Sequence, residues 1–305
     1  MSHSPNTTER SHRVTSNSRV GSALRPQHKR VATVGRSVVA MLIVLIFLLP
    51  FAWLIGSSFK SQFSIFTDVS NFNLWTFVPR HPTLENFKIL FRERAIGRAL
   101  LNSLLVACGQ VAGTLILCST TAYGLTRIKF KGQGAIFFFL LGTFLVPGEV
   151  LVVPLYHVAS YLGLNDNLFA VFLPWVASPF GLFFLRQAFE EIPRELDEAA
   201  MLDGANHWQI FSRVILPNVR APLATLSIVT FLFSWNAFLW PLVILQSNNK
   251  QMIQVAIAQS VVPGELPNWG ITFAGATVAI VPVLILYFIL QRHVVEGMAT
   301  SGLKG

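Results

Sequence analysis

The residues that could do chemistry at a surface lie close together in this chain. Between Ile192 and Pro222 it reads IPRELDEAAMLDGANHWQIFSRVILPNVRAP, with acids at Glu195, Asp197, Glu198 and Asp203. Pro193 suits the first turn of a helix, where its missing N–H costs nothing. Arg194–Leu202 are strong helix formers, and Gly204 supplies the left-handed backbone that ends a helix. Ala205–Ile215 then sets Trp208, Phe211 and Ile215 at helical spacing, until Pro217 stops the second helix. The pattern predicts a helix–turn–helix with small residues on top and carboxylates around it. Such a knob suits a solvated connector, or insertion into a groove rimmed by basic side chains.

Two polar islands stand inside otherwise apolar runs. Glu149 is the one acid in such a run. A carboxylate at membrane depth costs about 2.5–3.5 kcal/mol on insertion scales and usually faces a cavity or a partner. Glu149 fits a cavity lining or a hydrogen bond at a Pro147 kink; a proton-coupled role is the third reading, against which stands the lack of a relay partner. The second island is SWNAFLW, holding Trp235 and Asn236. Amides and aromatic faces suit a sugar, whose hydroxyls hydrogen-bond and whose C–H faces stack on rings. They equally suit helix packing with Asn236 bonded across a bundle, and Trp240 reads as an anchor nearer the surface. No Gly-Lys-Ser/Thr occurs, so no P-loop cradles phosphates. With no metal cluster, nucleophile–base pair or cofactor fingerprint either, the chain does not read as an independent enzyme.

The elements that must position these residues are membrane spans. The chain has 305 residues, 53% hydrophobic and 12% charged, where soluble domains carry about 25% charge. Its net charge of +9 does not point to nucleic acid, because the basic residues sit between apolar runs instead of on one face. A bilayer needs about 20 apolar residues per helix, and six stretches qualify: 37–58, 99–125, 135–158, 168–185, 222–246 and 272–291. The first is longer than a signal-peptide core and reads as a retained anchor. Of the 23 Lys and Arg, sixteen fall in the segments that are cytoplasmic if both termini are inside. The knob (186–221) then faces the cytoplasm. Residues 1–36 read as a disordered basic tail near anionic lipid, and 292–305 as a cytoplasmic C-terminal tail. In the outer loop, 59–98, Leu84, Phe87, Leu90 and Phe91 predict an interfacial helix or a helical lid. Prolines 147, 154, 174, 179, 241 and 282 predict kinks. Gly109–Gly113 forms a GxxxG, a close-packing face within the bundle or toward another subunit. Cys108 and Cys118 are about 15 Å apart on a helix, too far for a disulfide, and read as inert core thiols.

EAAMLDGANHWQIFSRVILP resembles the EAA loop of inner-membrane permease subunits of bacterial ABC importers. Glu198, Ala199, Ala200, Gly204, Leu216 and Pro217 match that pattern, and Val214 stands where Ile is usual. SFK at 58–60, NSLLVA at 102–107, AYGLTRIKFKGQ at 122–133, VPGEVLVVPLY at 146–156 and the terminal SGLKG are similar to the carbohydrate branch and its MalG-like subunits. The resemblance covers residues 42–305 and implies an all-α, six-span permease of type I importer architecture in the bacterial inner membrane. It implies that the loop, with Asp203 among its acids, is a coupling helix docked on a cytoplasmic ATPase, and that Lys304 and Gly305 reach the interface between two ATPases. It further implies a second, MalF-like six-span subunit and an extracytoplasmic binding protein. This chain itself would bind no cofactor; ATP and Mg would be used by the ATPase. The expected cargo is a sugar, with Glu149, Trp235 and Asn236 as candidate pathway residues. Another solute, such as a polyamine or a peptide, would use the same architecture. A self-sufficient secondary transporter is the remaining alternative.

Overall fold

A computed structural model describes residues 25–70, 73–259 and 268–302. Lys304, Gly305 and most of the basic tail lie outside these residues. Among the described residues there are helices and turns and no strand. The helices are α1 (Arg25–Ser58), α2 (Gln62–Ser70), α3 (Glu85–Arg92), α4 (Ile96–Arg127), α5 (Gln133–Gly142), α6 (Val152–Tyr161), α7 (Leu168–Phe172) and α8 (Pro179–Glu190). They continue as α9 (Glu195–Leu202), α10 (His207–Gln209), α11 (Leu216–Asn218), α12 (Arg220–Trp235), α13 (Leu239–Ile244), α14 (Ile253–Ala258) and α15 (Trp269–Gly302). The first helix begins at Arg25, so residues 25–36, expected in a disordered tail, are helical. By contacts the chain divides into one unit up to Ala52 and another from Trp53 onward. In the first, the side chains from Val38 to Phe51 are largely apolar and exposed, as lipid-facing residues are.

In the second unit α4 is the central element. It packs against α8 and α12, and α12 packs against α15. Its buried face recurs at helical spacing along its whole length, through Ala99, Ser103, Val106, Gln110, Thr114, Cys118, Ala122 and Thr126. The GxxxG lies on it and is used internally. A Cβ on Gly109 would come within 3.2 Å of the Phe172 ring, and one on Gly113 within 2.7 Å of Val176 Cγ1. Cys118 is buried, whereas Cys108, also expected in the core, is exposed. The helix stays 32 residues long because nothing interrupts it; it holds no proline.

Among the described residues three helices are long and apolar enough to cross a membrane: 35–58, Ile96–Arg127 and Trp269–Gln291. Six result if each of three bent pairs is one span. Proline chemistry explains two of the bends. Pro147, lacking an N–H, sits where Gln133–Leu145 gives way to Gly148–Tyr161 at 90°. Pro179 opens α8 after Ser178, whose hydroxyl accepts from Gly181 N at 3.0 Å; this pair is bent by 49°. The third bend, 79°, joins His207–Asn218 to Arg220–Trp235. The run expected to span 222–246 is interrupted after Trp235, and α13 restarts at Leu239. Pro282 and Pro50, by contrast, are accommodated inside long helices.

A helix does form in the 59–98 loop, as α3, with Leu90 buried and Phe91 and the preceding Leu84 exposed. It is fastened by Asn86, whose Nδ2 donates to the carbonyls of Ser58 and Lys60, both at 2.8 Å. Lys60 pairs with Asp68 at 3.0 Å. A cleft of about 450 Å³ opens beside them, with Arg80, His81, Glu85 and Asn268 among its walls.

Candidate functional site

The hairpin between α8 and α12 forms as its sequence predicts, with displaced ends. Its first arm, α9, starts at Glu195 and not at Pro193, and carries Glu195, Asp197 and Glu198 in its first turn, where carboxylates favour the helix dipole. It ends in a glycine cap. Gly204 has φ +83°, its N–H donates to Met201 O at 3.0 Å, and Ala205 N–H donates to Ala200 O at 2.9 Å. Those two bonds satisfy the last carbonyls and reverse the chain. The second arm opens on a reciprocal cap: Asn206 Oδ1 accepts from Gln209 N at 2.9 Å, and Gln209 Oε1 from Asn206 N at 2.8 Å.

Beyond Gln209 the arm widens into a π-helical segment, Ile210–Ile215. Pro217 has no N–H to give the carbonyl four residues before it, which is the physical setting for such a widening. Asn218 Nδ2 donates to Val214 O at 2.7 Å. Pro217 therefore does not stop the arm, which runs on through Asn218.

The hairpin is rooted in a core. Ile192, Ile210, Phe211, Ile215 and Val219 are buried with Tyr123, Leu125, Leu185 and Phe189, and Ala200, Ala205 and Leu216 pack against them. Its outward side is different. Glu198, Ala199, Asp203 and Gly204 are exposed, and so are large apolar side chains: Leu202 at 89%, Trp208 at 67%, Met201 at 47% and Leu196 at 45%. A connector in water gains nothing by holding leucine and tryptophan outward. The exposed face mixes apolar anchors with acids, the composition of a docking surface.

Four polar residues that sequence reasoning did not single out bind the hairpin to α4. Arg127, the last residue of α4, has Nε 3.1 Å from Asp197 Oδ2, and both side chains are buried. Its Nη2 donates to the carbonyls of Phe189 (3.0 Å) and Ile192 (2.9 Å), at the end of α8. Arg194 returns the arrangement, donating from Nη2 to Thr126 O at 3.0 Å. Tyr123 Oη lies 3.1 Å from His207 Nδ1 on the second arm, and its ring meets Phe211 edge-on at 5.3 Å. Burial pushes the Asp197 carboxyl above its ordinary value; Arg127 and Arg194 pull it down and Glu198 pushes it up. Asp197 Oδ1 is buried and makes no hydrogen bond. The available signal was an arginine ending an apolar run. Its partner lay seventy positions away, out of reach of any local pattern.

The candidate pathway residues are not brought together with the hairpin. Glu149 is exposed in the short turn Gly148–Leu151 at the 90° bend; its carbonyl accepts from Val152 N–H, while its side chain makes no hydrogen bond or ion pair with the described residues. Trp235 is 1% exposed, donates from Nε1 to Ala279 O at 3.1 Å and stacks on Phe231. It packs between α12 and α15. Asn236 is exposed at the end of α12 and donates to its own Leu232 O at 2.8 Å. Trp240, read as a surface anchor, is buried at 5% and donates to Ala170 O.

Apolar helices long enough to cross a bilayer, carrying a rooted hairpin with acids and large apolar side chains on its outward side, are the make-up of an integral membrane protein with a docking element. The chain belongs to the family of binding-protein-dependent transport system inner membrane components, which matches residues 113–300 and so includes the whole hairpin. It is 33% identical over 275 residues to the arabinooligosaccharides transport system permease protein AraQ of Halalkalibacterium halodurans, covering 90% of this chain and 95% of that one. It is 31% identical to the trehalose/maltose transport system permease protein MalG of Thermococcus litoralis, covering 87% and 95%. A crystal structure of a bacterial ABC transporter that imports alginate, an acidic polysaccharide, contains a chain of the same fold. There the TM-score is 0.75 at 21% identity, over 89% of this chain and 99% of that chain.

Proposed function

We propose that this chain forms half of the translocation pathway of an ATP-driven sugar importer, with the 192–219 hairpin as its contact to a separate ATPase subunit. The observation that carries the reading is the exposed face of Leu202, Trp208, Glu198 and Asp203 on a hairpin whose other side is fixed in the core. That face fits a groove with an apolar floor and a basic rim. Relatives named for arabinooligosaccharide and trehalose/maltose transport support a sugar as cargo, and the family supports an extracytoplasmic binding protein as the delivering partner. The sister permease is a second six-span chain, both termini lie in the cytoplasm, and Glu149, at the bend, faces the shared pathway. The polar cleft beside α3 lies at the far end of α4, on the side that meets the binding protein. Lys304 and Gly305 extend toward the ATPase pair.

Gentle purification from native membranes tests the assembly: an ATPase and a second six-span chain remain bound. Glu198→Lys puts a cation where the basic rim needs an anion, so uptake falls while the chain still inserts. Purification alone with ATP-independent uptake, or wild-type uptake by Glu198→Lys, would overturn the reading.

A further inference from the structure

The hairpin could pivot freely on its two connections, yet its buried side is clasped to one span at three points. Arg127 reaches from α4 to Asp197 on the first arm and to the carbonyls ending α8. Arg194 reaches from the first arm back to the carbonyl of Thr126. Tyr123 meets His207 on the second arm. Both arms are thus tied to the last two turns of α4, while the outward face makes none of these bonds.

From this geometry we infer that Arg127 and Asp197 are positioning residues, through which displacement of the hairpin by the motor is passed to α4 and on to the spans packed against it. The inference rests on the proposed docking and adds the route behind it. α4 suits the task, being about 48 Å of unbroken helix and in contact with α8, α12, α14 and α7. Its far end is fastened too: Asn102 Nδ2 donates to the carbonyls of Asn249 (3.1 Å) and Gln251 (3.0 Å), and Ser103 Oγ accepts from Ile253 N at 2.8 Å. A push at Asp197 thereby meets a rigid lever anchored at both ends. The ion pair is suited to changing partners. It is close in distance, but neither Arg127 Nε nor Asp197 Oδ1 makes a hydrogen bond, so a small shift of the hairpin can offer each a better one.

The test compares two variants in the complete importer complex. Removing one partner of a buried pair risks the fold, whereas replacing both with apolar residues of similar size is often neutral. Asp197→Asn keeps the side-chain shape, and Arg127→Met/Asp197→Leu removes the pair together. Both should co-purify with the ATPase at the wild-type ratio and hydrolyse ATP. Uptake per ATP hydrolysed should drop by about tenfold, within the range of a lost coupling contact. A purely structural pair would leave that ratio unchanged however much protein was lost, and an unchanged ratio would overturn the inference. Failure of both variants to hold the ATPase would overturn it too, by assigning the pair to the knob's shape. If the wild-type chain binds no ATPase, it is the proposed function itself that fails.

Discussion

Asp197 and Trp235 show how burial decides what a polar side chain does. Burial lifts the Asp197 carboxyl above the ordinary aspartate value of about 3.9, even with Arg127 beside it pulling the other way. The folded chain therefore holds that proton more tightly than the unfolded chain. This carboxyl adds stability as pH falls through the interval above 3.9 or so, and withdraws it as pH rises through its folded value. Asp197→Asn should remove that part of the pH dependence. As the buffer is acidified from neutrality toward the ordinary aspartate value, thermal melting of the purified complex should shift in favour of wild type over the variant; a shift the other way refutes the assignment. Trp235 gives a sharper case. As the donor to Ala279 O, its replacement by Phe should cost about 1 kcal/mol and leave transport by the folded protein unchanged. Trp235→Ala should cost about 3–5 kcal/mol through the cavity. If Trp235→Phe is fully stable but loses uptake, the residue touches cargo after all.

At the scale of elements, Gly204 sets the angle between the two arms. Its φ of +83° costs a residue with a Cβ about 1–2 kcal/mol. Gly204→Ala should loosen the turn without disturbing the spans, because nothing lies within 4 Å of the added Cβ. The ratio of ATPase to permease after purification should fall several-fold while membrane insertion is normal; an unchanged ratio would show that the turn does not shape the docking face. This turn was legible in advance because a left-handed cap is local: one glycine after a run of helix formers suffices. The spans were legible for a similar reason, since a bilayer demands about 20 apolar residues wherever it is crossed. The breaks were less so. Proline marks where an N–H is missing, yet whether the helix bends by 90°, as at Pro147, or continues, as at Pro282, depends on what neighbours supply to the freed carbonyls. Arg127 and Asp197 were invisible together because only the packing of α4 against the hairpin makes them neighbours. Trp235 stayed open between cargo contact and packing for the converse reason: an aromatic beside an amide reads the same whether it faces a cavity or the core. Trp240, expected as a surface anchor, is buried instead.

For the whole molecule, the determining quantity is which end of α4 faces the cytoplasm. The hairpin and its clasp lie at the Arg127 end, and α3 with the polar cleft at the Ile96 end. Under the proposed function, the ATPase meets the first and the cargo-delivering binding protein meets the second. Single cysteines decide between the two orientations, in a chain carrying Cys108→Ala to remove the exposed native thiol. Cys118, being buried, stays silent. Ser70→Cys, on exposed α2 backbone in the 59–98 loop, should react with a membrane-impermeant maleimide in intact cells. Lys129→Cys, on the exposed turn just after α4, should react only once the membrane is opened. The reverse pattern would place the hairpin outside, away from any source of ATP, and the coupling assignment would fall with it.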